Sequence, residues 1–212
     1  MPATRYHRPS ALLSRESKRE PYDVVLIVCE GKKTEPLYLA RLRQLHRLSS
    51  ANIEIAPSPG RDPMNVVTYA RQRAEAEEFD RTFCVFDRDG HAGYDRALRR
   101  VSELKAAGRN MTAITSWPCF EVWLLLHFVY TSRPFAPVMN TSACERVIRD
   151  LKTYIPHYEK GRAALYDDLL PFQNGAISRA QRLEQENSRT GTANPSTGMH
   201  NLVCYLTNLK AG

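Results

Sequence analysis

Two short runs of strand-forming residues in this chain end on acid. Tyr22 to Glu30 reads YDVVLIVCE and is followed by Gly31; Thr82 to Phe86 reads TFCVF and is followed by Asp87-Arg88-Asp89-Gly90. Glu30, Asp87 and Asp89 are the residues best placed by type and spacing to do chemistry. Asp87 and Asp89 are two apart, so on extended chain both point the same way. Three carboxylates gathered at one place repel one another, and a hard divalent cation such as Mg²⁺ relieves that repulsion. Such a cation orients a nucleophile and neutralises charge on phosphorus oxygens, so the pattern points to metal-dependent phosphoryl transfer. An Asp-x-Asp-Gly after a strand is also a common turn, because Asp and Gly favour turns. Two acidic strand ends together, rather than either alone, carry the site reading.

These acids need a scaffold that delivers strand ends side by side. The run Asp23 to Cys29 is nearly continuous in apolar residues, as expected of a strand covered on both faces in a parallel sheet. Thr34 is expected to cap a first helix, with Pro36 in its first turn. Asn52 to Ala56 alternates and reads as a second strand nearer an edge. Asp62-Pro63 opens a helix to about Glu78. Thr82 to Phe86 is the third strand, Tyr94 to Ala107 a helix stopped by Gly108, and Met111 to Thr115 the fourth strand. Alternating strands and helices imply a parallel α/β sheet of about four strands flanked by helices. Pro118 then starts an apolar helix bearing Glu121, in which Trp117, Phe120 and Trp123 are expected in the core. Ser142 and Glu145 form a capping box for a helix to about Tyr154. Ala176 to Asn187 reads as a polar-faced helix, Gln185 to Thr192 as a mobile loop, and Asn194-Pro195-Ser196-Thr197 as a break that caps a last helix. The chain thus divides into a flexible basic arm (1–20), an α/β core (21–130) and a helical carboxyl-terminal elaboration (131–212).

Composition narrows the classes. With 42% hydrophobic residues over 212 positions, one domain with an elaboration can bury a core. The net charge is +7, which favours polyanions such as nucleic acid as partners. The five cysteines are odd in number and widely spaced with no CxxC pair, so they read as reduced and mostly buried in a cytoplasmic protein. Spacing alone builds no zinc site. No apolar run approaches the ~20 residues that cross a bilayer, so no membrane partner is expected.

Glu-Gly after the first strand and Asp-x-Asp after a later one resemble the Toprim pattern of topoisomerases, primases and overcoming-lysogenization-defect nucleases. The blocks IVCEGKKTEPLYL, FCVFDRDGH, SWPCFEVWLLLHF and NPSTGMHNLV resemble the RloB-like family more specifically, over roughly residues 20–210. That resemblance implies a compact Toprim-like sheet with a helical elaboration. It also implies a role in bacterial or archaeal antiviral defence beside a separately encoded ABC/SMC-like ATPase. By position, Glu30 matches the Toprim glutamate, a general acid or base or a metal ligand, and Asp87 and Asp89 match the metal-binding pair. Glu121, after strand four, is an additional ligand in reach of the same edge, or else a helix N-terminal residue worth about 0.3–1 kcal/mol.

The expectation is therefore a Mg²⁺- or Mn²⁺-dependent Toprim-type nuclease acting on DNA or RNA. Glu30, Asp87 and Asp89 would serve as catalytic and metal-binding residues. Lys32, Lys33, Arg88, His91 and Lys160 are candidate nucleic-acid contacts, and Tyr158, Lys160 and Arg162 a basic-aromatic patch suited to backbone contact and stacking. A non-catalytic adaptor with a degenerate Toprim core, binding nucleic acid or the ATPase, is the competing reading. Nucleotidyl transfer of the primase kind is a third, without a zinc module to support it.

Overall fold

The computed structural model describes residues 22–60, 62–88 and 92–209. The basic arm, Asp89 and His91 lie outside the described residues.

A five-stranded sheet organises the chain, in the order β2 (Ile53–Pro57), β1 (Val25–Cys29), β3 (Arg81–Asp87), β4 (Met111–Trp117), β5 (Ser196–Thr197). The first four are parallel, as the alternation of strands and helices predicts, and β2 is at an edge. The fifth strand is an addition to the expected four. It is antiparallel and only two residues long, pairing Ser196 with Trp117 and Thr197 with Ser116. Two residues show no periodicity, which is why Asn194 to Thr197 reads as a turn in the sequence.

Every residue of β1 is buried, and the two-residue period of a strand divides them between two cores. Val25, Ile27 and Cys29 face one core, shared with α1 (Thr34–Leu45), α4 (Glu121–Leu125), α5 (Ala143–Leu151), α6 (Leu165–Leu169), α7 (Gln173–Thr190) and α8 (Met199–Asn208). Leu26 and Val28 face the other, beneath α2 (Pro63–Ala76) and α3 (Tyr94–Ala106). Trp123, fully buried in the first core, donates its indole N–H to the Tyr38 hydroxyl at 2.9 Å. That bond satisfies the one polar atom a buried tryptophan brings with it.

Several helix ends follow the sequence. The Asp62 side chain accepts the Met64 amide, and Ser142 with Glu145 forms a full capping box. Others differ. Helix α1 begins at Thr34 itself, and the Thr34 hydroxyl accepts the Gly161 amide at 3.1 Å instead of capping its own helix. The segment Gln185 to Thr192 is no loop: α7 continues to Thr190, and Gly191 ends it at φ 71 with its amide on the Asn187 carbonyl. Ala176, Ala180 and Leu183 form the buried stripe that holds this helix, while its polar carboxyl-terminal turns face water. Trp117 is not core. It is half-buried, and the Arg88 guanidinium lies 3.8 Å from its ring centroid.

The order β2-β1-β3-β4-β5 has a functional consequence. The chain leaves β1 on one side to build β2 and returns on the other to build β3, so the sheet reverses direction between β1 and β3. Open α/β sheets bind ligands outside the carboxyl ends of their strands at such a reversal. Glu30 follows β1 and Asp87 ends β3, so both stand at that position.

Candidate active site

Glu30 is held by its own backbone and by its side chain. Its amide donates to the Val85 carbonyl at 2.9 Å, prolonging the β1–β3 ladder by one residue. Its carboxylate accepts the Asp87 amide at 3.1 Å. The two acids expected from the sequence are therefore neighbours across the central strand pair.

Two more carboxylates converge on them. Glu121 opens α4, at the end of the connection from β4. Glu35 lies in the first turn of α1, and its carboxylate folds back over Gly31 so closely that a Cβ there would collide with it. A side chain at 31 would therefore displace the Glu35 carboxylate from this position. Sequence reasoning missed Glu35. Its one signal is a second acid five residues after Glu30, with a glycine between them.

The four acids line a cavity of about 550 Å³ whose wall also carries Lys32, Lys33 and Lys160. Mutual repulsion marks the cluster. Burial pushes the Asp87 carboxyl well above its usual range, Glu35 and Glu121 add to the rise, and the Phe120 backbone amide opposes it. Burial also raises Glu35, with Glu121 and Glu30 adding to the rise and Lys160 working against it. A site that disfavours its own ionised form is relieved by a cation. Oxygen donors with water access suit a hard divalent ion such as Mg²⁺ or Mn²⁺, so the residues fit the expected metal.

Glu121 is set apart by its surroundings. Its side chain is 2% exposed and carries an ion pair with Lys160 at 3.1 Å. The Tyr158 hydroxyl donates to the same oxygen at 3.0 Å, and the Cys144 thiol to the other at 3.6 Å. Burial alone would lower the Lys160 ammonium, but Glu121 and Cys144 outweigh it and keep it protonated. Cys119, Glu121 and Cys144 form a buried group that could hold a metal ion, with one ligand atom of each within 4.8 Å of the others. Burial pushes the Cys119 thiol well above its usual range, and its contacts with Cys144 and Glu121 add to that. All the cysteines are free, as expected, and four of the five are buried.

The remaining expectations divide. Lys32 and Lys33 are exposed at the cavity rim, as a phosphate contact requires. Lys160 reaches the site as the partner of Glu121. Arg88 lies over Trp117 and also 5.2 Å from the Tyr94 ring centroid, so its charge is stacked on aromatic faces. The open basic-aromatic patch does not form. Tyr158 is buried with its hydroxyl on Glu121, and Arg162 pairs with Asp168 at 2.6 Å. The segment Asn194 to Thr197 returns to the sheet, where the Thr197 and Ser116 hydroxyls meet at 3.1 Å three residues before Cys119. It braces the end of β4 that leads into Glu121.

Fold and site together define an α/β protein with an acidic, lysine-rimmed cavity at the reversal point of its sheet, consistent with a Toprim-like fold. The chain belongs to the RloB-like family, whose description is RloB-like protein and whose model matches residues 25–206. No curated protein and no solved structure matches it. Among the described residues, no helix is long and apolar enough to cross a membrane.

Proposed function

We propose that this protein is a metal-dependent nuclease of the Toprim type, cleaving phosphodiester bonds in DNA or RNA. The observation that carries this reading is the convergence of Glu30, Glu35 and Asp87 beside Glu121 in one cavity with lysines on its wall. Glu30, Glu35 and Asp87 would hold Mg²⁺ or Mn²⁺, with Asp89 retained as a ligand from the sequence reading. The bound ion would supply charge neutralisation at the phosphate and an activated water. The chain's own part is placement. Strands β1 and β3 fix Glu30 and Asp87 through backbone bonds, so neither must reorganise as charge develops. Lys32 and Lys33 receive the flanking phosphates at the rim. The net charge of +7 supports a polyanionic substrate. Family membership supports a role as effector of an antiviral defence system with a separately encoded ABC/SMC-like ATPase.

The test incubates purified wild type and Asp87→Ala with plasmid DNA, total RNA and tRNA, in Mg²⁺ or Mn²⁺, with and without the partner ATPase. Cleavage by wild type and a loss of at least about a hundredfold in the variant are expected, with circular dichroism showing that it remains folded. Normal cleavage by a folded Asp87→Ala protein would sink the assignment.

A further inference from the structure

The site raises the question of how many cations it takes. We infer that Lys160 stands in for a second metal ion: the site takes one divalent cation, on Glu30, Glu35 and Asp87, and Lys160 supplies the second positive charge. This rests on the metal-dependent reading above and adds an ion count to it.

Glu121 has little left to offer a second divalent ion. One of its oxygens already accepts from the Lys160 ammonium at 3.1 Å and the Tyr158 hydroxyl at 3.0 Å, and the other from the Cys144 thiol at 3.6 Å. With Lys160 the group is neutral, so the buried carboxylate is already compensated. The same ammonium lies 3.8 Å from the Cys144 sulfur. A dication bound to Glu121 and Cys144 at ordinary ligand lengths of about 2.0–2.3 Å would lie against that charge and be repelled by it.

Lys160 is also built in rather than passing by. The next residue, Gly161, has φ +86, a left-handed conformation that glycine adopts without strain. Its amide donates to the hydroxyl of Thr34, one residue before Glu35. The turn that presents Lys160 is therefore fastened to the turn that presents Glu35. The Lys160 side chain remains 55% exposed and lines the cavity, so it reaches a bound phosphate as well as Glu121. Lys160 thus both positions Glu121 and offers a fixed ammonium to the phosphate opposite the metal.

The experiment counts Mn²⁺ bound per full-length chain by calorimetry and by electron paramagnetic resonance, and measures cleavage separately. Wild type and Lys160→Arg should bind one Mn²⁺. Lys160→Ala should bind two, because the freed Glu121 attracts a second ion, while cleavage per chain falls at least tenfold. The double variant Glu121→Gln/Lys160→Met removes the pair together and keeps the count readable if the single variant misfolds. It should still bind one ion, and loss of that ion would overturn the inference. So would two Mn²⁺ in wild type, an unchanged count of one in folded Lys160→Ala, or stoichiometric zinc that Cys119→Ser and Cys144→Ser remove. If wild type cuts nothing yet the counts run one, two and one, the nuclease reading fails and the inference about Lys160 stands.

Discussion

The two sides of the acidic cavity are built on opposite terms. On the strand side, Glu30 and Asp87 are placed by the backbone of β1 and β3 and Glu35 by the first turn of α1, and among the described residues neither Asp87 nor Glu35 has a basic side chain within ion-pairing distance. On the helix side, Glu121 is deeply buried yet surrounded by an ammonium, a phenol and a thiol. Asp87 and Glu35 carry repulsion that a cation relieves; Glu121 has already been neutralised by the protein. Proximity alone therefore does not make four acids equivalent, because what each faces decides whether it waits for a ligand.

Substitutions should act in opposite directions on the two sides. Glu121→Ala should destabilise the protein by about 2–3 kcal/mol, since it leaves Lys160 and the buried Tyr158 hydroxyl without their partner. Asp87→Asn should stabilise the metal-free protein at neutral pH by roughly 1 kcal/mol, because it removes one charge from a repelling cluster. Asp87 has its folded value raised, so wild-type stability in chelator should fall as pH climbs above the ordinary carboxylate range. The Asn variant should lack that fall. Urea melts of both variants across pH check the contrast, and destabilisation by both would erase it.

A buried base outside the cavity, with one ring nitrogen unpartnered, gives a third comparison, confined to acid pH. His127, just beyond α4, donates from Nδ1 to the Trp123 carbonyl at 2.9 Å, and its buried Nε2 has no partner. Burial lowers it to about 4. A base lowered on folding keeps full stability above its unfolded value, about 6.5. Stability is lost as pH falls from there towards about 4, where the folded form also takes the proton. The loss should reach at most about 3 kcal/mol. His127→Gln should flatten this acid limb in the same melts; an unchanged slope would show that His127 is not its source.

Much of the strand side was legible in the sequence, because a buried strand ending on acid leaves a contiguous mark. The runs before Glu30 and Asp87 placed both residues and their neighbours in the sheet. Glu121 was legible as the first acid after the fourth strand. Glu35 was not, because one acid in a helical first turn looks like ordinary helix-dipole stabilisation. Its carboxylate occupies space that a Cβ at Gly31 would fill, a closeness that only the folded chain displays. Tyr158 and Lys160 were seen, but their link to Glu121 was not. They lie in a segment without periodicity, and only the tertiary fold carries them 37 residues and more from Glu121 back to it. The strand at Ser196–Thr197 was illegible for a similar reason: pairing partners distant in sequence define it, and two residues cannot display a period.

The central claim is that the strand-side acids form a divalent cation site, and melting temperature read against Mn²⁺ tests it most directly. At about a hundred times the dissociation constant, binding to the folded form alone adds about 2.7 kcal/mol. In a protein of this size that is a rise of roughly 5–10 °C. Wild type should show this rise and Asp87→Asn should not. A wild-type melting temperature indifferent to Mn²⁺, or an equal rise in Asp87→Asn, would contradict the account.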